Sequence, residues 1–230
     1  MKFCIFFCLI PSQKTKEHVV PLWLIEMTGD PLRSSIFGRY RESIRKFAWN
    51  NFTFPACEKC NSEFSELEGR VKKVVAKLLS KVDVSEIELN DLLDWLDKVR
   101  VGLWLGFLQL NRENQFKPNF YIKQRLGVSD RIAVICYIDD STRGITFTGT
   151  EFPAFTISPS CFSITINNIA IFNLSKEFVV SRRLGFTYPS KTLFIADDLR
   201  IQVAGFVSGT ERVMKPIIRR PIISSSIRIY

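Results

Sequence analysis

The sequence predicts an α+β protein with a small N-terminal module, a helical middle and an antiparallel, β-rich C-terminal half. Short apolar runs and paired cysteines occupy residues 1–62. A helical apolar period then covers the middle of the chain, and alternating β-branched and aromatic runs follow it. We therefore expect an N-terminal module over residues 1–82, a buried helical connector over 83–111 and a β-rich domain over 112–230.

The composition is that of a globular chain attracted to polyanions. Of the 230 residues, 46% are hydrophobic, which is sufficient for a buried core, and the formal net charge is +9. A positive field steers a protein toward phosphate backbones, so the charge favours a nucleic-acid partner. The alternative is a solvated positive surface with no such partner.

The start of the chain, MKFCIFFCLIPSQKTKEH, contains a short apolar run from Phe3 to Ile10. The run includes two cysteines and meets Pro11 without a small-residue cleavage site, so a signal peptide is not predicted. Nowhere does the chain reach the roughly 18 uninterrupted apolar residues that cross a bilayer. We expect a cytoplasmic protein with no membrane partner.

Four cysteines of the N-terminal module form two pairs. Cys57 and Cys60, in PACEKCN, have the C-x-x-C spacing that puts two thiolates on one side of a turn, as a tetrahedral zinc requires. Cys4 and Cys8, spaced C-x-x-x-C, are the candidates for the other two ligands. Such a zinc would contribute on the order of 10 kcal/mol to a module too small to hold itself together. The alternative is four unligated core cysteines.

The middle of the chain predicts two helices. Apolar residues recur at helical spacing over residues 62–81, with acids at the start, lysines at the end and Asn61 or Ser62 as the N-cap. A second helix is predicted from Ser85 to Leu110, opening with the cap-like VSEIELND. Its second half is apolar on nearly every side, so it should be a central buried element.

Two glycines in the second helix, Gly102 and Gly106, leave two interpretations open. They either permit close contact with a neighbouring element or break the helix in two.

From Asn111 onward the sequence reads as short antiparallel strands. The runs RIAVICYI, GITFTGTEF, FSITINNIAIFNL and LFIADDLRIQVAGFV are separated by Asp-Asp, Gly and Pro. Cys136 and Cys161 lie in this region and are expected to be buried small hydrophobes. No cluster of acids and bases at ligand spacing indicates what this half does.

Basic and aromatic residues are mixed in SSIFGRYRESIRKFAWNN, which follows Arg33. The blend is typical of a surface that follows a nucleic-acid backbone. An amphipathic helix with its aromatic face in the core fits the spacing equally well. The candidate nucleic-acid contacts are Arg39, Arg41, Arg45 and Lys46.

The order of motifs in the first 75 or so residues resembles the HNH (ββα-metal) endonuclease family. EHVVP looks like the D/E-H-I/V-I/V-P signature of that family, and CEKCN looks like its C-x-x-C-N/H signature, followed at once by an acid-rich helix. The resemblance implies an N-terminal ββα-metal module stapled by zinc. It covers about a third of the chain.

The resemblance also implies a division of roles. His18, the only histidine of the chain, would be the general base, and Glu17 and Asn61 would hold a catalytic Mg²⁺ or Mn²⁺. Asn51, with Asn50 behind it, is the best candidate for the group that orients the histidine. These residue types suit phosphodiester hydrolysis. The reaction needs a base that titrates near neutral pH and a hard cation bound to oxygen ligands.

Adjacent residues on a strand point to opposite faces. We therefore expect Glu17 to reach the metal from one side and His18 to reach the water from another. Further along, Glu66 and Glu68 either add to the metal pocket or interact with the helix dipole.

Three functions follow as hypotheses. The first is a metal-dependent endonuclease acting on DNA, with RNA not excluded, as the effector of an anti-phage or restriction system under a regulatory partner such as an ATPase or sensor subunit. The second is a zinc-stapled, non-catalytic nucleic-acid-binding module. The third is a partner-docking subunit with a vestigial nuclease fold. Loss of function on changing His18 is expected only for the first.

Overall fold

The structure is a computed structural model of the 230-residue chain. It describes residues 4–6, 14–40, 43–48, 51–110, 121–124, 126, 131–150, 155, 159, 161–175, 188–195, 200–207 and 227–229. Within these ranges the fold is α+β, with helices in the middle and antiparallel sheet in the C-terminal part, which confirms the predicted class.

Two antiparallel strands and a helix form the centre of the N-terminal part. β1 (Lys14–His18) pairs with β4 (Thr53–Cys57), and α2 (Glu58–Leu79) follows β4 without a loop. α2 packs back against both strands, so the two strands and the helix share one core.

Between β1 and β4 lie a short helix, α1 (Leu22–Met27), and a hairpin of β2 (Ser34–Tyr40) and β3 (Ser43–Ala48). The amphipathic helix offered as one interpretation of this basic segment is therefore wrong. Its β-branched and aromatic residues suit a strand pair, and periodicity alone does not separate the two in so short a run.

α2 confirms the first predicted helix but begins earlier than expected. Cys57 is its N-cap, and the Cys57 sulfur accepts a hydrogen bond from the Cys60 amide at 3.4 Å. The predicted N-cap, Asn61 or Ser62, is wrong because the cysteine knuckle itself forms the first helical turn. The core face of α2 carries Phe64, Leu67, Val71, Val74, Val75 and Leu78.

α3 (Glu86–Leu110) confirms the second predicted helix and is one continuous element. Ser85 and Glu88 form a capping box at its start: the Ser85 amide donates to Glu88 Oε2 at 2.8 Å, and the Glu88 amide donates to Ser85 Oγ at 3.3 Å. α3 packs against α2 on one side and against the C-terminal sheet on the other. Among the described residues, no helix combines the length and apolarity needed to cross a bilayer.

The two glycines of α3 mark close contacts rather than a break. A Cβ atom on Gly102 would lie 3.0 Å from Val19 Cγ1, and one on Gly106 would lie 2.6 Å from Phe54 Cζ. A larger residue would force Val19, Phe54 or α3 to shift, so the two glycines permit this close approach.

The C-terminal part contains a five-stranded antiparallel sheet in the order β11-β5-β8-β7-β6 and a separate antiparallel pair, β9–β10. The strands are β5 (Arg131–Tyr137), β6 (Ile145–Thr148), β7 (Cys161–Ile166), β8 (Ile169–Ser175), β9 (Tyr188–Ile195), β10 (Arg200–Val207) and β11 (Ile227–Ile229).

The core face of the five-stranded sheet includes Ile135, Ile164 and Ile171, all fully buried. Cys136 is half-buried and Cys161 is exposed. The expectation that Cys161 is buried is wrong, because it opens β7 on the face opposite to the buried Phe162.

Candidate catalytic and metal site

Three of the four predicted zinc ligands come together in the core. The sulfur atoms of Cys4, Cys57 and Cys60 all lie within 4.8 Å of one another, and all three residues are buried. The Ile5 amide donates to the Pro55 carbonyl at 2.9 Å, which holds the N-terminal residues alongside β4. Cys8, the fourth predicted ligand, lies outside the described residues.

The environment of these thiols fits a soft divalent metal. The amides of Cys57 and Cys60 donate to the sulfurs of Cys4 and Cys57, each at 3.4 Å, and such bonds favour thiolate ligands. The sulfurs also lie at the start of α2, where the helix dipole favours negative charge. Tetrahedral zinc–sulfur bonds of about 2.3 Å are compatible with this sulfur spacing.

Burial raises the pKa of the Cys60 thiol to about 12, so metal binding there would release a proton. The Lys123 ammonium acts in the opposite direction on the same thiol. Lys123 comes from a 3₁₀ turn (Ile122–Gln124) and also forms an ion pair with Glu63. A cation therefore lies beside the sulfurs, where it would offset the negative charge of a thiolate centre.

Glu17 and His18 end β1 and differ in exposure as alternating strand residues do. Glu17 is buried and lies in register with Phe54, whereas His18 is half-buried and lies in register with Thr53. The expected separation of the two side chains onto opposite faces is consistent with this difference.

The carboxylate of Glu17 contacts a lysine from a distant part of the chain. Lys98 Nζ, on α3, forms ion pairs with Glu17 and with Glu68 of α2. The same ammonium donates to the carbonyl oxygen of His18 at 3.3 Å. Three elements therefore meet at one buried charge cluster, which includes the predicted metal ligand and the backbone of the predicted base.

The cluster changes the ionisation of its members. Burial raises the pKa of Glu68, and the nearby ammonium only partly opposes this. Burial by itself lowers the pKa of Lys98, but the interactions with Glu17 and Glu68 outweigh it, so that pKa lies above its ordinary value. Lys98 is therefore a charged ammonium in the core.

The two predicted asparagines lie at different places. Asn51 is exposed and precedes by two residues Thr53, the register partner of His18, so it lies near the same end of the strand pair. Asn61 is half-buried and borders a surface depression with Ser62, Ser65 and Glu66. It stands seven residues before Glu68, about 10 Å nearer the start of α2.

The candidate nucleic-acid contacts lie largely on the hairpin. Arg39 belongs to β2, and Arg45 and Lys46 belong to β3, where only the backbone is described. Arg41 lies outside the described residues. Arg33, just before the hairpin, donates to the Ile25 carbonyl at 2.9 Å and to Thr28 Oγ1 at 2.6 Å, so it anchors the end of α1.

Lys98 is the site residue that sequence reasoning missed, and Glu68 is one that it left unassigned. A usable signal exists in LDKVRVGLWLGF, where charged residues interrupt a helix that is otherwise apolar all round. Because a buried charge requires a partner, Lys98 in such a helix predicts an acidic contact elsewhere. The sequence does not say which acid provides it.

Comparisons of the chain with models of known protein families, with curated proteins and with solved structures find no match. The function is therefore inferred from the residues of the site.

Proposed function

We propose that the chain is a metal-dependent endonuclease of the HNH type that hydrolyses phosphodiester bonds of DNA. The observation that supports it best is the position of His18 directly after the buried Glu17, in a unit of two antiparallel strands followed by a helix. The helix of this unit contributes a second carboxylate, Glu68, to the cation that Glu17 contacts. One imidazole beside paired carboxylates suits metal-assisted hydrolysis.

In this proposal the His18 imidazole takes a proton from a water molecule. The resulting hydroxide oxygen bonds to phosphorus, the ester phosphorus–oxygen bond breaks, and the leaving oxygen takes a proton from solvent. Glu17 is the proposed ligand of Mg²⁺ or Mn²⁺, which when bound would neutralise charge on the phosphate and leaving oxygen. Asn61, about 10 Å from Glu68 along α2, stays a prediction as the second ligand. Asn51, near the same end of the strand pair, is the proposed orienting residue.

The substrate and partners are proposed from charge and context. The net charge of +9 favours a polyanion, and the hairpin that carries Arg39, Arg45 and Lys46 lies between the two halves of the motif. A role as the nuclease of an anti-phage or restriction system, controlled by an ATPase or sensor subunit, is part of the proposal by analogy.

The catalytic proposal is tested by cleavage of supercoiled plasmid with Mg²⁺ or Mn²⁺. We expect His18→Ala to lower the rate by roughly 100-fold or more, the usual contribution of a general base. Lys16→Ala, which truncates an exposed side chain of the same strand, is the matched control and should stay within a few-fold of wild type. Equal cleavage by His18→Ala and wild type would overturn the role of the histidine. Cleavage of single-stranded RNA, measured in parallel, tests whether the substrate is DNA or RNA.

We also propose that Cys4, Cys57 and Cys60, with Cys8 as the fourth ligand, bind a structural zinc. Purified protein should contain one zinc per chain, and Cys57→Ser should lose most of it and unfold at a lower temperature. Cys161→Ser, at an exposed cysteine outside this cluster, is the matched control and should keep its zinc. Metal content is measured by mass spectrometry. An unchanged zinc content in Cys57→Ser would exclude Cys57 as a ligand of a structural zinc.

A second candidate is a zinc-stapled, non-catalytic nucleic-acid-binding or partner-docking subunit. The ion pair between Glu17 and Lys98 favours it, because the carboxylate that would hold the metal is already paired with an ammonium. This candidate predicts that His18→Ala binds DNA as well as wild type, measured by fluorescence anisotropy, and that neither protein cleaves plasmid.

A further inference from the structure

A buried ammonium lies where three elements meet. Lys98 is fully buried, and its Nζ contacts the carboxylates of Glu17 on β1 and Glu68 on α2. It also donates to the carbonyl oxygen of His18 at 3.3 Å. An ammonium has three donors and no acceptor, so these three oxygens use its whole hydrogen-bonding capacity. Lys98 is therefore a cation enclosed by oxygen ligands.

The charge of this cluster does not balance. Glu17 is 5% exposed and the Glu68 side chain is 17% exposed, so both carboxylates are largely removed from water. In the part of the chain that the structure describes, the ion pairs of both are with Lys98. When both are ionised, two carboxylates with one ammonium leave an excess negative charge, which is costly to bury. A divalent cation in place of the ammonium would neutralise both carboxylates.

The ligand atoms suit such a cation. Two carboxylate oxygens and one backbone carbonyl oxygen are hard donors, the type that Mg²⁺ and Mn²⁺ prefer. They come from β1 and α2, whose mutual position is set by the β1–β4 pair and by the core that α2 shares with it. The oxygens would therefore remain close together without the lysine.

The packing of α3 holds the ammonium at this point. Lys98, Gly102 and Gly106 recur every four residues and so form one stripe of the helix. The two glycines lie against Val19 and Phe54, so the stripe has no side chains where it meets the strand pair. This close approach brings the Lys98 side chain to the end of β1.

We propose that Glu17, Glu68 and the carbonyl oxygen of His18 form a divalent-cation site that the Lys98 ammonium closes, so that the metal and Lys98 exclude each other. Glu68 is thereby a metal ligand in addition to Glu17. While the Lys98 ammonium contacts the three oxygens, the metal cannot bind to them. The purpose of the metal rests on the proposed nuclease function, but the competition between the two cations is measurable without cleavage.

The test compares Mn²⁺ binding by wild type, Lys98→Met and Lys98→Met/Glu68→Gln, using the electron paramagnetic resonance signal of free Mn²⁺. Each protein carries one equivalent of zinc, so that the thiols do not take up Mn²⁺. Lys98→Met should bind one Mn²⁺ roughly 100-fold more tightly than wild type, because the ammonium that competes with the metal for the same oxygens is removed. The double variant should lose most of this gain.

The matched control is Lys73→Met, which removes the same charge from an exposed position on α2. It should bind Mn²⁺ no more tightly than wild type. Equal binding by Lys98→Met and Lys73→Met would overturn the proposal, as would a gain in affinity that persists when Glu68 is changed to Gln.

A folding defect in Lys98→Met does not prevent the test. If the variant is unfolded in metal-free buffer, the proposal predicts that millimolar Mn²⁺ restores its circular dichroism spectrum. Failure of Mn²⁺ to restore it would also overturn the proposal.

The plasmid assay separates this inference from the nuclease proposal. A gain in Mn²⁺ affinity that depends on Glu68, without cleavage by any variant, supports the cation site and rejects the nuclease. Cleavage that depends on His18, without a gain in Lys98→Met, supports the nuclease and rejects the site that Lys98 closes.

Discussion

Lys98 and Arg100 are two buried cations on one helix, and they face different parts of the molecule. Lys98 contacts two carboxylates of the N-terminal unit, Glu17 and Glu68. Arg100 contacts Asp97 of its own helix and donates to the amide oxygen of Asn173 on β8. Because residues two apart on a helix point in nearly opposite directions, α3 carries one charge toward each half of the fold.

The two clusters differ in their contacts. Arg100 forms an ion pair with Asp97, and Asn173 adds a neutral acceptor that ties α3 to the sheet. The Lys98 cluster has one carboxylate more than it has cations. The contacts of Arg100 stabilise the packing of α3 on the sheet, whereas excess negative charge on oxygen ligands favours the binding of a further cation.

The largest effect is expected from breaking the Arg100 cluster. Arg100→Met removes the guanidinium from the buried Asp97 and should lower the free energy of unfolding by about 3–5 kcal/mol. Urea denaturation followed by tryptophan fluorescence measures it. Mn²⁺ should not restore this loss, although it should stabilise Lys98→Met, because only the Lys98 cluster presents two carboxylates to a metal. Equal rescue of both variants would remove the distinction between the clusters.

Asp97→Asn/Arg100→Met serves as the control for that measurement. Neutralising Asp97 as well should recover part of the lost stability, because no unbalanced charge is then buried. A double variant as unstable as the sum of the two single variants would indicate that the ion pair itself contributes little.

A smaller effect is expected from the packing that positions Lys98. Gly106→Ala should lower the free energy of unfolding by about 1–3 kcal/mol, because the added methyl group lies within 2.6 Å of the Phe54 ring and forces repacking. Gly69→Ala on α2, where a Cβ atom meets nothing within 4 Å, is the matched control. That change should instead stabilise the helix by about 0.5–1 kcal/mol. A neutral Gly106→Ala would show that the close approach of α3 is not required.

Local patterns predicted the helices well and the strand–helix choice less well. The apolar period and the Ser85–Glu88 cap identify α3 almost to the residue, because both signals lie within a few turns of chain. The start of α2 was missed because a cysteine sulfur, not an asparagine or serine oxygen, caps it. The β2–β3 hairpin was not predicted, and the helix named for that segment is wrong, because short runs of aromatic and β-branched residues suit both structures.

In the candidate site, too, local features were easier to predict from the sequence than long-range contacts. The spacing of Cys57 and Cys60 and the adjacency of Glu17 and His18 can be read directly from the chain, since each is a local feature. The approach of Cys4 to the knuckle spans more than fifty residues. It was predicted because a tetrahedral zinc needs further thiolates, since the spacing from Cys4 to Cys57 carries no signal by itself.

By itself the sequence determined the α+β class, the two long helices, the cysteine knuckle and the single histidine beside a glutamate. Only the tertiary structure decided that Glu17 and Glu68 share one buried ammonium and that Lys98, eighty residues after His18, provides it. The physical reason is that local backbone preferences act over a few residues, whereas a buried charge is paired with whichever group the packing of the core brings within reach.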